Sequence, residues 1–190
     1  CGALEFAEKI SKVGTQPIIG TQINILHENL VGKITLYAIS EKGYKNLTKL
    51  SSLSYLNNNT SYEPHCLLED LIQNNEDLIL LTGNYSNFFG KLFYGNKIKN
   101  LEKIVDKLKI YFQDRIYLEV QRHSETQEKN FENFLLKISS THDLPLIACQ
   151  EVYYIDPKMA EAHDALICIG EKKFIEDPNR FRYSDQHYIK

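Results

Sequence analysis

The sequence predicts an α/β fold. Short runs rich in β-branched residues alternate with amphipathic stretches along almost the whole chain, the pattern of βαβ units. Hydrophobic residues make up 43% of the 190 residues and charged residues 25%, which excludes disordered and fibrous classes. A chain of this length buries roughly 70% of the surface that its unfolded form exposes, enough for a single domain over residues 1–190. Crossovers of this kind imply a mostly parallel sheet, either doubly wound or closed as a barrel.

The elements follow in order. Residues 3–13 read as a helix with Leu4, Phe6, Ala7, Ile10 and Val13 on one side and Gly14 as its stop. Residues 17–25 read as a strand, and residues 34–38 as a second one. Ser40 caps a helix from Glu41 to Leu56, with Leu47, Leu50, Leu53 and Leu56 on one side. Residues 57–61 form a polar loop. A short helix spans 67–72, and an apolar strand from Asp77 is closed by Gly83. A helix covers 98–112, a strand 115–121, and Phe131, Phe134, Leu135 and Ile138 mark a further helix. A long strand is expected within 144–155. Asp156-Pro157 then starts a final helix over 158–169.

In such folds the functional groups sit at the C-terminal ends of the strands. The positions of interest are therefore Gln22, Ala38–Ser40, Thr82–Asn84, Gln121–His123 and Glu151–Tyr153. Glu151 and Tyr153 alternate, so both face one side, and a carboxylate there is a candidate either to bind metal or simply to pair with Arg122 or Lys33. No GxGxxG, P-loop or GxSxG motif is present, so nucleotide-binding and serine-hydrolase readings lack a motif. His65-Cys66 is too close a pair to share one zinc ion easily. Glu161, His163 and Asp164 look catalytic, but an acidic cluster at a helix start is the simpler reading.

Net charge is −3, so the chain as a whole is not a strong polyanion binder. Lys97, Lys99, Lys103, Lys107 and Lys109 still make one helix positive, and DNA contact through that face is a candidate against a plain solvated face. Cys1, Cys66, Cys149 and Cys168 are scattered, so a reducing cytoplasm is expected, with Cys149 and Cys168 as buried thiols. No apolar run approaches the roughly 20 residues of a membrane span. The opening Cys1-Gly2-Ala3-Leu4 reads as a helix start already within a protein, and Tyr188-Ile189-Lys190 shows no stop to the fold. A piece of a longer chain is expected.

Five blocks carry a family resemblance. They are Pro17-Ile18-Ile19-Gly20, Glu41-Lys42-Gly43-Tyr44-Lys45-Asn46-Leu47, Tyr117-Leu118-Glu119-Val120-Gln121-Arg122-His123, Leu144-Pro145-Leu146-Ile147-Ala148 and Glu161-Ala162-His163-Asp164, in that order. Together they resemble the polymerase-and-histidinol-phosphatase (PHP) domain that opens the alpha subunit of bacterial replicative DNA polymerase III. The Gly-Tyr-Lys-Asn-Leu and Ala-His-Asp blocks are specific to that polymerase branch. The resemblance implies an incomplete seven-stranded βα barrel whose first strand–helix units are missing, with the polymerase domains beyond residue 190.

Active members of the family hold a metal cluster at the barrel mouth. Carried over by position, its ligands here fall at Gln22, Lys33, His123, Glu151 and Tyr153, where metal-binding members show Glu, His, His, Asp and His. Only His123 matches. Replacing Glu by Gln removes a negative charge, and replacing His by Lys adds a positive one, so the resemblance implies a degenerate site with no bound cofactor and no catalysis of its own. An ammonium, that of Lys33, is expected to stand in for the metal beside Glu151. The implied role is a structural platform within a nucleotidyltransferase, with the proofreading exonuclease subunit, the rest of the polymerase chain and, through the parent enzyme, DNA as partners and no membrane. The alternative is an active metal-dependent phosphoesterase or 3′–5′ exonuclease that uses His123 and Glu151.

Overall fold

A computed structural model describes residues 2–56 and 61–190. The expectations for Cys1 and for most of the polar loop, residues 57–60, lie outside the described residues. Helix α1 (Ala3–Lys12) is followed by β1 (Gly20–His27), β2 (Leu30–Ala38), α2 (Glu41–Leu56), β3 (Cys66–Leu67), α3 (Leu68–Gln73), β4 (Leu78–Leu81), α4 (Phe88–Tyr94) and α5 (Ile98–Phe112). Then come β5 (Ile116–Val120), α6 (Glu128–His142), β6 (Leu146–Ala148) and α7 (Ala160–Glu171).

The six strands form one mixed sheet in the order β3-β1-β2-β4-β5-β6, an arrangement compatible with a PHP-type α/β barrel. β1/β3, β4/β5 and β5/β6 pair parallel, whereas β2 is antiparallel to both β1 and β4. The expected mostly parallel sheet is thus corrected at its centre. The cause is a tight hairpin that joins β1 to β2 with His27 opposite Leu30, and Glu28 supplies the left-handed turn residue at φ 54°. Because β2 runs the other way, Ala38–Ser40 emerge at the opposite end of the sheet from the other candidate positions. There Ser40 caps α2, as expected, by accepting from the Lys42 and Gly43 N–H groups.

Alternation along the strands sorts their side chains onto two faces. Ile23, Ile25, Ile34, Leu36, Leu78, Leu80, Ile116 and Leu118 are buried on one face against α2, α4, α5 and α6. Each such side chain contributes about 1.5–3 kcal/mol on burial. Close approach is built in at Gly43, where an added Cβ would collide with the Asp77 carbonyl oxygen. The other face carries Gln22, Asn24, Lys33, Thr35, Tyr37, Glu119 and Gln121, and it is on this face that the site lies.

Three features stand out against the sequence reading. The strand expected within 144–155 is only β6, after which the chain leaves the sheet; Cys149 N–H still bonds the Val120 carbonyl. Helix α4 is apolar nearly all round, so periodicity does not announce it. Helix α1 forms where expected but buries no residue, with Leu4 76% and Val13 74% exposed. Asp156-Pro157 starts a 3-10 turn over Pro157–Met159, where the Asp156 carboxylate accepts from the Lys158 N–H, and the final helix itself begins at Ala160, two residues later than expected. Beyond it, residues 172–190 return across the strand ends without forming a helix. Among the described residues no helix is long and apolar enough to cross a membrane.

Candidate functional site

The hairpin β1–β2 rises past its neighbours. Gln22 lies opposite Thr35, and Thr35 lies opposite Leu81, the last residue of β4. Gln22 is therefore near the start of β1, not at its end. The hairpin becomes one wall of a cleft of about 690 Å³ that the ends of β4, β5 and β6 floor. Gln22, Lys33, His123, Glu151 and Tyr153 all line this cleft. The wall opposite the hairpin comes from the last segment of the chain through Phe181, Tyr183 and His187.

His123 is buried just past β5. Its Nε2 accepts the Glu151 backbone N–H at 3.3 Å, which places its ring hydrogen on Nδ1. That Nδ1 faces the Glu128 carboxylate at 3.1 Å. Glu128, in the first turn of α6, also accepts the backbone N–H groups of His123 and Glu125. The His187 ring stacks on His123, and its Nδ1 donates to the Glu151 carbonyl at 3.1 Å. Burial, and secondly the neighbouring His123, pushes the His187 pKa down.

Glu151 is held by neutral donors. Tyr153 donates its hydroxyl at 2.8 Å, and Asn84 donates its amide at 3.4 Å. Desolvation first, and then hydrogen bonds with Tyr183 and Glu151, push the Tyr153 pKa up, so it stays a phenol. The expected ion pairs of Glu151 are corrected. Arg122 reaches Glu132 instead, at 2.6 Å. Among the described residues, Lys33 has no carboxylate within ion-pair distance. The ammonium therefore does not stand in for a metal by pairing with Glu151.

A polar chain continues below the cleft. Asn84 also donates to Gln121 at 3.3 Å, and Gln121 donates to Glu119. Glu119 is 5% exposed, and its Oε2 has no partner among the described residues. Burial raises its pKa, and Cys149 beside it is pushed up to about 12, again chiefly by burial. Cys149 is half-buried rather than fully buried, whereas Cys168 is buried as expected.

The remaining candidates resolve structurally. His65 is buried with its Nδ1 on the Glu63 carbonyl, and the Cys66 thiol donates to the Leu50 carbonyl. Asp164 is gripped by both terminal nitrogens of Arg180, which holds its carboxyl below the usual range. His163 packs between Tyr153, Tyr154 and Tyr183. On α5, Lys97 pairs with Glu28 and Lys107 with Glu69, while Lys109 donates to the His142 carbonyl. Lys99 and Lys103 line a shallow groove beside Glu28.

A metal cluster is the group that the fold implies here, and the residues do not fit it. Both His123 nitrogens are engaged, Tyr153 is a phenol that donates to Glu151, and Lys33 brings a positive charge. Among the described residues no group of three or more His, Cys, Asp or Glu side chains is arranged to hold a metal ion. Sequence reasoning missed His187, Tyr183, Glu128 and Arg180. Their roles come from long-range contacts, and no local pattern announces them.

Residues 1–123 match the PHP domain family. The chain is 38% identical over its whole length to a DNA polymerase III subunit alpha of Rickettsia bellii, of which it covers 16%. It is 32% identical to the corresponding subunit of Caulobacter vibrioides and 31% to that of Vibrio cholerae, covering 17% of each. The chain thus spans about a sixth of the curated relatives that it matches.

Proposed function

The chain belongs to the PHP domain family, and from that premise we propose that it serves a replicative DNA polymerase as a non-catalytic platform and as the docking module for the proofreading exonuclease subunit. The observation that carries this reading is the state of the cleft. Four of the five ligand positions depart from the metal-binding pattern, and the fifth, His123, spends both ring nitrogens inside the protein. Hydrolysis of a phosphoester by this family needs cations to orient water and neutralise the developing charge. A cleft that places an ammonium at one of those positions and a phenol at another, with both ring nitrogens of His123 already bonded, is poorly suited to hold such cations.

The same contacts give the platform its rigidity. Donors and acceptors that would otherwise meet a metal meet one another, so the strand ends are fixed without an ion. A fixed surface at the strand ends suits a docking role.

The test is elemental analysis of zinc, manganese and iron in the full-length polypeptide, combined with co-elution of the exonuclease subunit on size exclusion. Metal below one equivalent together with co-elution is the expected result. Two or more equivalents, with phosphoesterase activity, would replace this reading by the metal-dependent hydrolase. Failure to co-elute would remove the docking half alone.

A further inference from the structure

We infer that residues 172–190 form a latched strap over the cleft, with Asp164–Arg180 as the latch, and that the strap opens as a local unit while the sheet stays folded. The strap supplies Phe181, Arg182, Tyr183 and His187 to the cleft wall. It contains no helix, and its one ladder contact is a single bridge between Tyr188 and Tyr154.

Its attachments are largely polar, and they include the Tyr153 and Tyr154 N–H groups on the His187 carbonyl and His187 Nδ1 on the Glu151 carbonyl. Ser184 donates to the His123 carbonyl at 2.6 Å, and Tyr154 donates its hydroxyl to the Ser184 carbonyl at 2.7 Å. Gln150 reaches the carbonyls of Gln186 and Tyr188, and Lys190 reaches that of Arg122. Ring contacts complete the seam, with Tyr183 on Tyr153 at 4.3 Å and on His163 at 5.8 Å, and His187 on His123 at 4.0 Å and on Tyr153 at 5.3 Å.

Hydrophobic burial contributes little. Phe174 is 78% exposed, and Ile175, Phe181 and Ile189 are also exposed. A segment with few buried apolar contacts lies at the low end of local stability and opens before the core does. The core is of the opposite kind, with Leu36, Leu50 and Phe112 wholly buried.

The latch differs from the other ion pairs on the chain. The Arg180 side chain is buried, whereas the pairs Lys9–Glu5, Lys42–Glu76 and Lys45–Glu41 lie in solvent. The fork geometry engages both carboxylate oxygens, and Arg180 also donates from Nε to the Ile175 carbonyl, which folds the strap on itself. Removing the carboxylate leaves a buried guanidinium without its counter-charge, a change far larger than loss of a surface pair. The latch therefore sets whether the cleft is walled or open, and anything that enters the cleft from the strap side has to displace Phe181, Tyr183 and His187.

Amide hydrogen exchange on the full chain tests this, independently of whether the cleft binds metal. In Asp164→Asn, amides of residues 174–190 should exchange at least tenfold faster, while those of β1, β2, β4 and β5 keep their wild-type protection. Tyr183→Ala, which leaves the latch intact, should give the same pattern more weakly. Strap and strand amides accelerating together would overturn the inference, because the strap would then be part of the global folding unit. Unchanged exchange in the strap of both folded variants would overturn it equally.

Discussion

The imidazoles of His123 and His187 lie face to face, with 4.0 Å between centroids and 5° between planes. His123 stands just past the end of β5. His187 arrives from the far end of the chain. Between them they hold both sides of Glu151, His123 accepting its N–H and His187 donating to its carbonyl. The backbone that presents the Glu151 carboxylate to the cleft is clamped between two histidines.

Replacing His187 by Ala removes the stack and the bond to the Glu151 carbonyl together. A stacked ring pair and one neutral hydrogen bond each contribute on the order of 1 kcal/mol. His187→Ala is expected to lose about 1–3 kcal/mol in urea unfolding, with the chemical shifts of His123 and Glu151 moving and those of β1 unchanged.

Glu119 gives a pH prediction with a definite sign. Burial raises its folded pKa above the unfolded value, so it binds its proton more tightly when folded. Its contribution is stabilising below the unfolded pKa and is lost as pH rises through the folded one. Glu119→Gln keeps an acceptor for Gln121 and cannot ionise. The variant should gain stability over wild type by about 1.4 kcal/mol per pH unit between the two pKa values and hold that gain above them. Thermal unfolding across a pH series checks this; a gain largest in acid would contradict the assignment.

Much of this fold is legible in the sequence, and the exceptions have physical causes. Leu101, Ile104, Val105 and Leu108 repeat at helical spacing because α5 packs one face on the sheet, so its limits are readable. Helix α4 buries Phe88, Phe89, Gly90 and Leu92 on more than one side, and such a segment has no period to read. Gly90 in its middle looks like a breaker but is there because the Tyr85 carbonyl fills the space of a Cβ. Val152, Tyr153, Tyr154 and Ile155 have strand composition, yet the chain turns away after β6 to meet the strap. The five cleft positions are legible as a set only through the family resemblance, and they do line one cleft. Their mutual bonds are not legible, since Glu151 and His187 are distant in sequence and meet only in the folded chain.

The lysines of α5 are expected to contribute little to DNA affinity. Two of the five form ion pairs with glutamates and a third caps a carbonyl, which leaves Lys99 and Lys103 for phosphates. Each phosphate contact adds a slope of about −0.9 to log K against log salt. Lys99→Ala/Lys103→Ala in the full-length polypeptide should flatten that slope by at most roughly 2, and Lys97→Ala/Lys107→Ala by less. Fluorescence anisotropy over a salt series distinguishes the two variants.

The cleft should be convertible. Among the described residues Lys33 has no carboxylate partner, so its charge opposes any cation beside it, by about 4 kcal/mol at 4 Å for an effective dielectric near 20. Gln22→Glu restores a negative charge, Lys33→His exchanges the ammonium for a neutral donor, and Tyr153→His frees Glu151 from its hydroxyl bond. The triple variant of the full-length polypeptide is expected to bind at least one equivalent of zinc or manganese where the parent binds less than one, by elemental analysis after dialysis. Lys33→His alone should give an intermediate value, since it removes the repulsion without restoring the carboxylate. A folded triple variant that stays free of metal would mean that the hold of Glu128 and Glu151 on His123, not the charge of Lys33, is what keeps the cation out; His123 would then have to be released before any ligand set could form.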